Sequence, residues 1–378
     1  MLLGPTALIY GMRISVRRRI RALRALAGVL GNRAPDLSGV DDWNALLDVA
    51  VELRVEPALT RSLREAGLIA PTDVAEALRR TELLNATRNL LFRRQLVAAT
   101  AALNQAGIEP LLFKGSLWLV GDGWDRPSGR WMVDLDLAVP AESWTEAGDA
   151  LRAIGYVSHP GRPFEHPHEL PFHLPRSPGP IELHVELGSA ELSAVLPAGE
   201  AWAGSHPLAF GGVRARGLEP THQVLHNLLH AAVQDLNHAV AGLPLRQLVV
   251  LAELVGRHGA GIDWASMARR LEAHGLGQTL RDHLWLAHRF AGMPLPRTLL
   301  PEPTARWHEL EVLLGFGLGW PPHLNRNLRY AFGRAYLDSV YAHGDRPLRL
   351  AVARVRHAAR LILRDGRGVV AAGLGRRD

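Results

Sequence analysis

The sequence predicts an α+β protein in which strands gather between residues 107 and 217 and helices fill both flanks. Apolar residues recur at helical spacing from 42 to 104 and again from 220 to 290. Between these blocks, the runs 110–113, 133–137, 170–174 and 180–187 are short and apolar or alternate in the period-2 manner of strands. Gly and Pro punctuate that middle third, as in Arg176-Ser-Pro-Gly-Pro180, which reads as a hairpin connection.

Composition narrows the class. The 378 residues are 47% hydrophobic and 21% charged with mean hydropathy near zero, an ordinary globular balance with room for two or three domains. There is no cysteine, which excludes disulfides, Fe–S centres and thiolate zinc sites. No apolar run reaches the length of a transmembrane helix, and the first charges follow the apolar start instead of preceding it, unlike a secretory signal. A cytoplasmic location is expected, with Met12 an alternative start. The net charge of +6 is uneven: residues 1–35 carry +7, residues 345–378 carry +6, and the stretch between them −7. Such basic ends could touch nucleic acid or an anionic membrane, or simply be solvated helix faces and a tail. Lys114 is the only lysine among 43 basic residues. A compact ammonium kept at one place, where arginine serves everywhere else, suggests a chemical need.

In chain order, Ile14, Ile20, Leu23, Leu26, Ala27 and Leu30 predict a helix over 13–30, with a linker from Ala34-Pro35. It is basic between its apolar positions, so packing on its own domain is expected and membrane binding is the alternative. Trp43, Leu46, Leu47, Ala50 and Val55 predict one or two helices over 42–65, with Pro57 in a first turn where its missing N–H is harmless. Pro71-Thr72-Asp73 opens the next helices, through Asn104, and Gly107 ends that run. The strand 110–113 then meets Gly115-Ser116, a turn that opens a short helix. Gly lets backbone approach a ligand closely, and N–H groups at a helix start favour anions.

The next strand carries Asp134 and Asp136. Alternation sends Val133, Leu135 and Leu137 to one face and both carboxylates to the other, roughly 7 Å apart at about 3.3 Å per residue. Two such carboxylates ionise together only with a cation or strong donors between them, and hard oxygen ligands suit Mg²⁺. A helix over 141–153, a strand from Gly155 and a Pro- and His-rich loop over 160–168 follow. In the strand 180–187, Ile181, Leu183, Val185 and Leu187 face the core, leaving Glu182, His184 and Glu186 on the opposite face. His159, His166, His168, His173 and His184 cluster within 26 residues but lack the tight pairing of a zinc site. Substrate contact or loop packing is the expectation, with His173 and His184 the candidate contacts. Helices follow over 220–236, 245–256, 264–274, 280–290 and 303–342, then a Gly/Arg tail over 366–378. On the first of them His222, His226 and His230 share a face, with His238 beyond; hydrogen-bonded histidines are expected there rather than metal or phosphate ligands.

Apolar-Gly115-Ser116 followed by Asp134-Leu-Asp136-Leu resembles the signature of the DNA polymerase β-type nucleotidyltransferase superfamily. The longer string Leu111-Leu-Phe-Lys-Gly-Ser116, then Arg130-x-x-x-Asp134-Leu-Asp136, resembles its uncharacterised bacterial nucleotidyltransferase branch. In that branch a Lys-Gly turn, an Arg four residues before the first Asp, and a later Asp-Leu-His strand recur. Glu182-Leu-His184 stands here for Asp-Leu-His, and Val133 where Ser is common. The resemblance covers about residues 40 to 300, its specific motifs 113–137 and 181–184.

The resemblance implies a small mixed β-sheet nucleotidyltransferase core flanked by N-terminal and C-terminal helical domains. The expected division is a basic helix and linker (1–35), a helical domain (36–106), the core (107–217), a second helical domain (218–345) and a basic helix and tail (346–378). It further implies Mg²⁺, two ions, held by Asp134, Asp136 and Glu182, the last helping to deprotonate an acceptor hydroxyl. An NTP, with ATP the expected one, would lie over Gly115-Ser116, with Lys114 and Arg130 offsetting phosphate charge. The unidentified acceptor, a small molecule, peptide or saccharide, would bind between core and C-terminal helices near 159–173. Two alternatives stay open: a lapsed fold serving as a binding scaffold, and an RNA-directed, toxin-like enzyme using its Arg-rich ends, which lack interleaved aromatics for base stacking.

Overall fold

The computed structural model describes residues 15–31, 42–121, 125–158, 169–297, 299, 301–318, 337, 341, 349–350 and 352–356. The histidines at 159, 166 and 168, the first fourteen residues and the tail after 356 lie outside the described residues.

Helix α1 (Val16–Leu30) is capped by the Ser15 hydroxyl, which accepts from Arg18 N at 3.4 Å. Its apolar face, Leu23, Leu26 and Val29, is fully buried. It packs on α2 (Trp43–Glu52), α3 (Glu56–Glu65), α13 (Gly277–Ala291) and α14 (Pro303–Leu318). Its arginines turn to acids of its own fold, Arg18 to Asp42 and Arg19 to Glu52. Pro57 sits in the first turn of α3, as expected. The helical run after Pro71 is one 34-residue helix, α4 (Thr72–Gln105), where several helices were expected.

A seven-stranded mixed sheet follows: β1 (Leu111–Leu112), β2 (Leu135–Ala138), β3 (Val157–Ser158), β4 (Glu169–His173), β5 (Ile181–His184), β6 (His206–Phe210) and β7 (Val213–Gly217), in the order β3-β4-β5-β2-β1-β7-β6. β2 runs parallel to β5, and β1 parallel to β7; the other pairings are antiparallel. The β4–β5 hairpin forms at the predicted connection. The β6–β7 hairpin has no counterpart in the sequence reading, although Gly211-Gly212, at φ 54° and 80°, supplies the left-handed turn such a connection needs. Between the strands lie α5 (Lys114–Val120), α6 (Trp144–Ala153), α7 (Ala190–Val195) and α8 (Ala198–Ala203).

The chain then returns to helices: α9 (Pro220–Leu229), a π-turn over His230–Gln234, α10 (Asn237–Val240), α11 (Leu245–His258), α12 (Trp264–Ala273), and α13 and α14. One continuous apolar core runs from Ala22 through the buried strands to Val312, so sheet and flanking helices share their burial. The α9 histidines are hydrogen-bonded as expected: His226 Nε2 donates to Leu187 O at 2.9 Å, and His222 lies between Glu200 and Glu219. Among the described residues, no helix is long and apolar enough to cross a membrane.

Candidate active site

The site grows from the β1–α5 turn. Phe113 is extended (φ −147°, ψ 177°), and Lys114 takes the left-handed conformation (φ 50°) before the helix proceeds. A non-glycine residue there costs about 1–2 kcal/mol and persists only where surrounding contacts hold it. The contact here is ionic: Lys114 Nζ donates to Asp136 Oδ1 at 2.8 Å. Asp136 is 2% exposed and Lys114 20%. Gly115 sits close under a neighbour: a Cβ there would stand 2.7 Å from Met132 Cε, the end of a methionine that would have to move aside. Ser116 turns inward, fully buried, its hydroxyl without a hydrogen-bond partner.

Asp136 is the electrostatic centre. It lies in β2 opposite Glu182 of β5, and its Oδ1 also accepts from His184 Nε2 at 3.2 Å. Glu182 Oε2 lies 3.9 Å from the same nitrogen. Burial pushes the Asp136 carboxyl up, but the Lys114 ammonium and the His184 ring outweigh it and hold it well below the usual carboxylate range. Asp134 precedes the first residue of β2 and shifts the opposite way. Burial raises its pKa first and the Asp136 charge second, against the pull of Lys114, Arg246 and Arg130. Phe113 seals the floor, edge-on to His184 at 5.2 Å and to His226 at 5.3 Å between centroids.

Three cations converge on these acids. Arg130 Nη1 reaches Lys114 O at 3.5 Å, and burial with the nearby Arg246 charge pulls its pKa down to about 10. Arg246, in the first turn of α11, is lowered by burial and by Arg54, while Asp134 and Asp136 favour its charged form. Helix α4 holds the loop that carries Arg130. Asn85 Nδ2 donates to Ser128 O and Arg130 O (2.8 and 3.0 Å), and Asn89 Nδ2 to Pro127 O and Arg130 O (2.6 and 2.8 Å). Farther along, Gln95 Nε2 donates to Gly179 O at 2.9 Å. A Cβ on Gly179 would stand 2.1 Å from Val133 O, so only glycine lets the β5 approach pass the residue before Asp134.

A cleft of about 260 Å³ opens over this floor. Lys114, Gly115, Arg130, Asp134 and Asp136 line it from the sheet side, and Arg246, Gln247 and Arg257 of α11 from the other. Ser116, Glu182, His173 and His184 lie off its wall; His184 is buried behind Asp136, and His173 pairs with Val157 at the far side of the sheet. Sequence reasoning missed Arg246, Asn85, Asn89 and Gln95. The asparagines left a trace, two amides one turn apart on the apolar side of a helix. Arg246 left none.

Asp136, Glu182 and His184 each bring one ligand atom within 4.8 Å of the others. Two carboxylates beside an imidazole, with a third carboxyl at Asp134 raised by burial and then by the Asp136 charge, form a donor set that fits a divalent cation.

No curated protein and no solved structure matches the chain. The family model described as "Uncharacterised nucleotidyltransferase" matches residues 40–292, which contain every residue of the site. The chain belongs to this nucleotidyltransferase family, and is an enzyme of phosphorus-containing group transfer.

Proposed function

We propose that the chain moves a nucleoside monophosphate from an NTP, ATP in the first instance, to a hydroxyl or phosphate of an acceptor, releasing pyrophosphate. The observation that carries this reading is the opposition within one cleft of Asp134 and Asp136 to Lys114, Arg130 and Arg246, anion-binding and cation-binding groups side by side. Asp134, Asp136 and Glu182 would hold Mg²⁺, in this reading two ions. Bound there, Mg²⁺ supplies Lewis acidity and charge neutralisation at the phosphate oxygens. Lys114, Arg130 and Arg246 hold the phosphates by charge, and Gly115 leaves the turn open to them.

The acceptor oxygen forms a bond to the α-phosphorus while the bond from that phosphorus to the pyrophosphate oxygen breaks, and the electron pair leaves with pyrophosphate. The acceptor's proton passes to a carboxylate, Glu182 being the candidate at 23% side-chain exposure beside Asp136. Residues 107–217 act as the catalytic core, and α9 and α11 supply the wall against which the acceptor packs.

A second reading, a lapsed enzyme kept as a binding scaffold, draws on one observation. Lys114 and His184 already satisfy Asp136 Oδ1 without any metal. Calorimetric titration of a non-hydrolysable ATP analogue with Mg²⁺ into wild type and Asp134→Asn/Asp136→Asn separates the two. The enzyme reading expects Mg²⁺-dependent binding that the double variant loses. No binding by folded wild type leaves the scaffold.

A further inference from the structure

A second constellation of metal-ligating side chains lies outside the cleft. His238 of α10, Asp282 of α13 and His308 of α14 each place one ligand atom within 4.8 Å of the others. None of them lines the cleft. Asp282 and His308 are buried, and His238 is half-buried. We propose that these three residues form a transition-metal site of the zinc class that ties α10, α13 and α14 together.

The geometry fits such an ion. His238 Nε2 and Asp282 Oδ2 are 2.9 Å apart, and two ligands at about 2.0–2.1 Å from a tetrahedral ion stand roughly 3.3 Å apart. That pair opens by tenths of an ångström to admit an ion, and His308, whose ligand atom lies within 4.8 Å of both, closes onto it. The His238 and His308 rings face each other at 4.7 Å between centroids, tilted by 35°. Two imidazoles and one carboxylate are a zinc-type donor set, with a fourth position left for water.

Polar groups stand beside each ligand, where outer partners of metal sites are found. Thr279 Oγ1 lies 3.5 Å from His238 Nδ1, Glu311 Oε2 lies 3.7 Å from His308 Nδ1, and Gln278 Nε2 donates to Asp282 Oδ1 at 2.7 Å. For Asp282 and His238 the atom turned away from the pair has its own neighbour, Gln278 and Thr279, while Oδ2 and Nε2 face each other. The next residue after Asp282, His283, is 3% exposed, and its Nε2 has no hydrogen-bond partner.

The backbone also supports a clamp. Helix α10 is four residues long and is entered and left through left-handed, non-glycine residues, Leu236 (φ 57°) and Ala241 (φ 49°). Conformations of this kind persist only where the surroundings over-determine them. A ligated His238 would supply that constraint, holding the segment that follows the His230 turn of the cleft wall.

The test uses the full, tag-free chain, stripped with EDTA and dialysed against Co²⁺, with bound metal and the visible d–d spectrum as readouts. The expected result is one tightly held Co²⁺ with tetrahedral-type bands in wild type and in Asp134→Asn/Asp136→Asn. His308→Gln and Asp282→Asn should each lose both bands and bound metal, with far-UV circular dichroism unchanged. Cobalt should also raise the melting temperature of wild type but not of His308→Gln. Absence of retained Co²⁺ in wild type, or retention with the same bands in folded His308→Gln and Asp282→Asn, overturns the proposal. If one variant unfolds, the other and His238→Gln decide it by the same spectrum.

Discussion

Replacing Lys114 by Met tests the ionic floor of the site. Methionine keeps the length of the side chain and the cost of the left-handed backbone (φ 50°), so the difference from wild type reports the ammonium. Removing one partner of a buried pair leaves the other charge uncompensated, at a cost of about 3–5 kcal/mol. His184 still donates to Asp136 at 3.2 Å, and Lys114 is one-fifth exposed, which places the loss at the lower end, about 3 kcal/mol at neutral pH. The pH dependence is distinctive. In wild type the Asp136 carboxyl is lowered, so its stabilisation is present above the unfolded pKa near 4 and is lost only as pH falls through the depressed folded value. In the variant burial prevails, the folded carboxyl rises, and protonation relieves the buried charge. The difference between the two proteins should therefore be largest at pH 7 and shrink toward pH 4. Urea unfolding followed by tryptophan fluorescence at both pH values measures it. A difference below about 1 kcal/mol, or one equal at the two pH values, refutes the claim that Lys114 compensates a buried Asp136 charge.

Other expectations are equally direct. Gly179→Ala drives a Cβ against Val133 O and should cost about 1–3 kcal/mol, seen as a lower melting temperature; an unchanged value would contradict the close approach of β5. Glu56 is raised to about 7 by burial, so it is destabilising above that pH and neutral in effect below the unfolded carboxylate range. Glu56→Gln should therefore stabilise by up to about 3 kcal/mol at pH 8 and by nothing at pH 4 in denaturant titrations. Arg246→Gln should weaken NTP binding roughly tenfold, about 1.4 kcal/mol, in calorimetry, with the fold intact by circular dichroism.

Much of the architecture was legible because it is local. The strand–turn–helix at 111–120 follows from an apolar run meeting Lys-Gly-Ser, and the β4–β5 hairpin from its Pro-Gly connection. The α9 histidines sit at the spacing that reads as one face, and each finds a partner there. What failed to show was long-range. Gly211-Gly212 carries hairpin chemistry, yet nothing nearby reveals that β7 lies beside β1, about a hundred residues upstream. The run after Pro71 shows helical spacing, but its buried Asn85 and Asn89 gain meaning only from the backbone oxygens of 127–130 that they meet.

The sequence by itself determined the chemistry on offer: the acidic pair, the lone lysine, the Glu-Leu-His strand and their placement on turns and strands. Alternation and turn preference act over a few residues, and these groups lie within such reach. Tertiary structure alone decided which of them meet. Parallel pairing of β2 with β5 sets Asp136 beside Glu182. The same packing turns His184 onto Asp136 and seals Ser116 inside. Helix α11, more than a hundred residues away along the chain, brings Arg246 to the cleft. Periodicity tells a side chain to be buried; only the packed neighbour, chosen by the whole chain, tells it against what.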